Sequence, residues 1–123
     1  MPFRPEPIRG RRAFAEIRAR GRRIGGRLVT LQILPAAAGD AVRVSFAIGR
    51  HVGPAVVRNR VRRRLRSLVS GRVLPPGAYL IGARPGAAGA SFAALGADLQ
   101  SAFDRGLRSD SLTGVPSGEA TSG

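Results

Sequence analysis

The chain has 123 residues, a formal charge of +14, a pI near 12.0 and no cysteine. That length sets one domain with a modest core, and the missing thiols exclude disulfides and thiol chemistry. No run approaches the roughly 18 apolar residues of a membrane span, and the N-terminus, Met1-Pro2-Phe3-Arg4, has no apolar signal segment. A polyanionic partner in a reducing, cytoplasmic setting is expected, with no membrane and no small-molecule substrate. All 21 basic residues are arginine. The seven acids all lie at or before Asp40 or at or after Asp98, so residues 41–97 hold ten arginines and no carboxylate.

Residues 1–10 read as an irregular basic arm. Residues 11–20 read as a short helix that Gly21 stops, with Phe14 and Ile17 as its apolar positions. Phe14 is most simply a core residue; the alternative is an aromatic floor for a nucleotide. Residues 27–34 read as a strand with Val29, Leu31 and Ile33 on one face. After a turn over 35–40, residues 41–48 alternate Val42, Val44, Phe46 and Ile48 with smaller or polar residues. These two runs are expected to pair as antiparallel neighbours. Gly49-Arg50-His51 leads into the most informative stretch, residues 52–66.

Six of those fifteen residues are arginine and none is acidic. Gly53-Pro54 fits a helix start and Gly71 a stop. Val57, Val61, Leu65 and Leu68 fall on one helical stripe. Asn59, Arg62, Arg63 and Arg66 point away from it, flanked by Arg58 and Arg60. A solvated helix face usually mixes signs, whereas a one-sign face repels itself unless an anion is expected. Arginine suits phosphate, because its planar fork grips two oxygens and stacks on a base.

Pro75-Pro76-Gly77 marks a turn. Residues 78–83 follow as an apolar strand buried on both faces, ending at Arg84. Residues 90–107 read as a closing helix with Ser91 as its cap and a stripe of Phe92, Leu95, Leu99 and Phe103. From Ser109 to Gly123 the composition predicts a disordered tail, so the domain is expected over 1–108. The order helix, two strands, helix, strand, helix gives an α+β class: a small, mainly antiparallel sheet packed with helices as a two-layer sandwich.

A protein active site finds no support. A metal site needs clustered ligands, and a hydrolytic triad needs a base with an orienting acid. His51 is the only histidine and has no acid near it in sequence. It reads as a turn residue or a phosphate donor. No Walker-type loop occurs.

The run Arg50-His51-Val52-Gly53-Pro54-Ala55-Val56-Val57-Arg58-Asn59-Arg60-Val61-Arg62-Arg63-Arg64-Leu65-Arg66 resembles the signature of the bacterial ribonuclease P protein family. Arg11-Arg12-Ala13-Phe14, the strand Arg43 to Ile48, and Tyr79 to Arg84 resemble its other segments. The resemblance implies the fold of ribosomal protein S5 domain 2, with a left-handed β-α-β crossover. It also implies a role beside a catalytic RNA, which uses Mg²⁺ to remove the 5′ leader of precursor tRNA; the RNA performs the catalysis and no protein residue is catalytic. By position, Arg58, Asn59, Arg60, Arg62, Arg63 and Arg66 would face the ribonuclease P RNA. Phe14, Arg18, Phe46, Arg50 and Arg84 would line a cleft for the leader. Arg18 stands where a second aromatic is common, and residues 27–34 supply none. The basic residues alone also fit a structural, ribosomal-type RNA-binding protein with no part in cleavage.

Overall fold

The structure, a computed structural model, describes residues 5–111, with side chains to Arg108. The helices are α1 (Arg11–Arg20), α2 (Ala55–Ser70) and α3 (Phe92–Ser111). The strands are β1 (Arg22–Gly25), β2 (Val29–Pro35), β3 (Val42–Ala47) and β4 (Gly77–Ala83). Short 3-10 turns cover Arg50–Val52 and Pro85–Gly89. The four strands form one sheet in the order β1-β2-β4-β3. β1 with β2 and β2 with β4 are antiparallel, while β3 and β4 run parallel. β3, α2 and β4 therefore make a β-α-β crossover within an α+β fold.

The pairing expected between 27–34 and 41–48 does not occur. β4 lies between those two strands. The physical reason is burial: five consecutive residues, Tyr79 to Ala83, are all buried, and only a central strand covers both faces of such a run. β1 has a single buried residue, Ile24, so alternation could not reveal it; the hairpin with β2 creates it.

Successive β4 residues face opposite sides. Tyr79, Ile81 and Ala83 join Val29, Leu31 and Ile33 beneath α2 and α3, which supply Val61, Leu65 and Val69, and Leu95, Leu99 and Phe103. On the other face, Leu80 meets Ile17 of α1 and Ile8 of the arm. Phe14 is half-buried against this smaller cluster. Ser91 does cap α3, its Oγ accepting from the Ala94 N–H at 3.0 Å. Phe92 departs from its expected stripe and is 46% exposed, because it opens the helix before the core begins. α3 runs past the expected boundary at 108 to Ser111. The rest of the proposed tail, and residues 1–4 of the arm, lie outside the described residues.

Candidate nucleic-acid interface

α2 starts where the sequence places it. Gly53 takes φ 151°, a conformation that L side chains rarely adopt, and a β-carbon there would lie 3.1 Å from Val57. The Pro54 carbonyl then accepts from the N–H groups of Val57 and Arg58, each at 2.9 Å. Burial of Val61, Leu65 and Val69 fixes the rotation of the helix. That rotation divides the arginines into three groups.

Arg60 and Arg64 lie on one flank. Their Nη atoms donate to the carbonyls of Ala88 and Ala90, both at 3.0 Å. Asn59, Arg63 and Arg66 lie on the exposed outer face. Half-buried on the remaining flank, Arg58 Nε donates to the Gly53 carbonyl at 3.1 Å, and Arg62 Nη1 donates to Asn59 Oδ1 at 2.9 Å. Among the described residues no carboxylate pairs with an α2 arginine; ion pairs elsewhere include Arg20–Glu16 and Arg43–Glu6. The spacing in the sequence places Asn59, Arg62, Arg63 and Arg66 opposite the apolar stripe, with Arg58 and Arg60 on either side of them. The structure keeps Arg60 on its flank, where it reaches the Ala88 carbonyl, half a turn from Arg62.

A cleft of about 850 Å³ opens between α2 and the edge of the sheet. Arg62, Arg63, Arg66, Ser67, Val69 and Ser70 line it from α2. Val44, Ser45 and Phe46 of β3 line it from the sheet, with Phe14 of α1 and Pro5 and Pro7 of the arm. The Arg66 guanidinium carbon sits 5.7 Å from the Phe46 ring centroid, within cation–π range. So Phe14 and Phe46, far apart in sequence, share one groove with three arginines. Arg18 lies one turn along α1 from Phe14, in a shallow depression on the outer face of that helix.

Arg50 and Arg84 are elsewhere, at the end of the sheet where β3 and β4 both finish. Arg50 is exposed in the turn after β3. Its neighbour His51 donates from Nε2 to the Ala83 carbonyl at 3.1 Å, tying that turn to β4. Arg84 is exposed, and its Nε donates to the Gly26 carbonyl at 2.8 Å. Asp98 of α3 holds the same hairpin, accepting from the N–H groups of Arg27, Leu28 and Val29 at 3.0, 2.8 and 2.9 Å. Burial raises the Asp98 pKa, but the three N–H donors and nearby Arg105 outweigh it, and the carboxyl stays below its usual range. Arg72 stacks on Phe103 at 4.9 Å; burial lowers its pKa and Asp104 partly opposes that.

Pro5, Pro7, Ser45, Ser67 and Ser70 also line the cleft, beyond the residues expected from the sequence. Ser67 and Ser70 were within reach, lying four residues after Arg63 and Arg66 on the same helix face. The arm carries no such periodic signal. Among the described residues, no three His, Cys, Asp or Glu side chains gather as a metal site, and no helix is long and apolar enough to cross a membrane.

Residues 3–106 match the family model described as Ribonuclease P. The "Ribonuclease P protein component" of Streptomyces avermitilis is 41% identical over 109 residues, covering 80% of this chain and 89% of that protein. That of Acidothermus cellulolyticus is 42% identical over 110 residues, covering 82% and 86%. Among solved structures, the Staphylococcus aureus RNase P protein superposes with a TM-score of 0.74 at 18% identity, covering 83% of this chain and 95% of that one. The protein from Thermotoga maritima gives 0.69 at 20% identity, covering 81% and 96%. At those identities the two structures speak for the fold.

Proposed function

The chain belongs to the ribonuclease P protein family, and from that premise we propose how its surfaces divide the work of tRNA processing. The outer face of α2, with Asn59, Arg63 and Arg66, and the flank beside it, with Arg58 and Arg62, bind the catalytic RNA, with Arg60 at the margin. The cleft beside it receives the single-stranded 5′ leader of precursor tRNA. The observation that supports this reading best is the cleft itself, in which Phe14 and Phe46 face Arg62, Arg63 and Arg66. A basic groove with aromatic faces is what sequence-tolerant single-strand binding requires: cations track the backbone while rings take the bases.

Physically, the protein would act as an adaptor between two polyanions. Guanidiniums on α2 offset the repulsion between catalytic RNA and substrate, and the leader in the cleft fixes the substrate's register. Among the described residues no group of carboxylates fits a Mg²⁺ site, so we assign the metal, and the hydrolytic chemistry it supports, to the RNA. We place this ribonucleoprotein in the bacterial cytoplasm, where precursor tRNA is made.

The test is single-turnover cleavage of a leader-bearing precursor tRNA by a bacterial ribonuclease P RNA at low Mg²⁺, with and without this protein. The expected result is faster cleavage at the mature 5′ end, weakened by Arg62→Ala combined with Arg66→Ala. RNA binding without any response in cleavage would replace this reading with a purely structural RNA-binding role.

A further inference from the structure

The arm preceding α1 is built into the cleft. Glu6 donates its N–H to the Val42 carbonyl at 3.0 Å and accepts from the Val44 N–H at 2.7 Å. The Ile8 N–H donates to Ser45 Oγ at 2.9 Å, and the Ile8 side chain is buried against Ile17 and Leu80. Residues 5–8 thus extend the sheet beyond β3 as a short parallel rail. In an extended segment, alternate residues share a face. Pro5 and Pro7 line the cleft, while the Glu6 carboxylate pairs with Arg43 at 3.5 Å.

We propose that Pro5 and Pro7 are substrate-contacting residues, forming the apolar wall on which unstacked bases of the leader rest. This rests on the leader reading of the cleft given above. The cleft is chemically two-sided. Among the described residues, every cation lining it, Arg62, Arg63 and Arg66, comes from α2, and the arm wall opposite contributes only proline rings. A strand lying between them must turn its phosphates to α2 and its bases to the arm, Phe14 and β3. The Phe46 ring is already approached by Arg66, and Val44 and Val69 are buried, so among the described residues Phe14 and the two prolines are the remaining open apolar surfaces. Proline rings meet π faces through the same contacts that let proline-rich segments dock on aromatic grooves. Their fixed φ means little backbone freedom is lost on binding. The contact is indifferent to base identity, as a leader that differs from one tRNA to the next requires.

The competing account is that the prolines only block further strand pairing at a sheet edge, where each lacks an N–H to offer. Holoenzyme assembled with Pro5→Ala plus Pro7→Ala separates the two. Affinity is measured for precursor tRNA with a leader and for the same tRNA without one, together with the melting temperature of the protein. The expected result is a loss of roughly fivefold to tenfold in affinity for the leader-bearing substrate, below the loss of a full aromatic stack. Binding of mature tRNA and of the catalytic RNA should stay unchanged. Leader-dependent affinity within twofold of wild type would overturn the proposal. If wild-type holoenzyme shows no leader-dependent affinity at all, the cleft reading fails first and takes the proposal with it. A second measurement needs no substitution: a leader carrying 4-thiouridine is photocrosslinked to the wild-type holoenzyme. Adducts on the arm peptide are expected, and adducts confined to other segments would refute the contact even if the double variant folded poorly.

Discussion

Arg63 and Arg64 are adjacent in sequence and identical in chemistry, yet the fold gives them opposite tasks. Arg63 is exposed on the cleft side of α2. Arg64 is half-buried on the other flank and donates to the Ala90 carbonyl at 3.0 Å. Replacing Arg63 by alanine should remove one phosphate contact to the catalytic RNA without disturbing the fold. The slope of log K against log salt should then fall by about 0.7–0.9, the value for one released counterion. Over a fourfold rise in salt, wild type would lose about threefold more affinity for the catalytic RNA than this variant. Folding stability should stay within about 0.5 kcal/mol, as for an exposed surface site. Arg64→Ala should do the reverse. It leaves the Ala90 carbonyl without its donor and strips an aliphatic stem from the helix flank, costing about 1–2 kcal/mol. That corresponds to a fall of roughly 5 °C in melting temperature for a chain of this size, with the salt slope nearly unchanged. RNA affinity at four salt concentrations and thermal melts of both variants provide the assay. Equal slope changes for the two would refute the division of α2 into an RNA face and an anchoring flank.

Two further predictions concern the supports of these surfaces. Asp98→Asn should destabilise the domain by about 2 kcal/mol at neutral pH, since three backbone donors lose their charged acceptor. The wild-type contribution belongs to a carboxyl whose pKa is depressed by folding, so it is fully present above its ordinary value near 4. It disappears as pH falls through the lower folded value; urea melts from pH 7 down to pH 2 should show this steepening in wild type and a flatter profile in the variant. Gly53→Ala should cost about 1–3 kcal/mol through its strained φ and the approach to Val57. It should also weaken RNA binding, because the same turn aims Arg58, and circular dichroism melts with RNA titration would show both effects or contradict the role given to this glycine.

The features legible in the sequence are local ones. The Gly53-Pro54 start, the Gly71 stop and the four-residue spacing of Val57, Val61 and Leu65 place α2 correctly, because helix limits and amphipathicity are written in nearby residues. The one-sign charge of that helix and its signature were legible for the same reason, as were the cap at Ser91 and the two-sided burial of β4. Tertiary structure decided everything that depends on which segments become neighbours. Alternation in 41–48 marks a strand but not its partner, and the partner is β4, because a run apolar on both faces must take the centre. β1, with one buried residue, exists only through its pairing with β2. Core packing set the rotation of α2 and so sent Arg60 and Arg64 to one flank and Arg62, Arg63 and Arg66 to the cleft. The cleft joins residues 5 and 7 to residues 44–46 and 62–70, and the arm's place in it comes from backbone hydrogen bonds to β3, which leave no periodic trace in side chains.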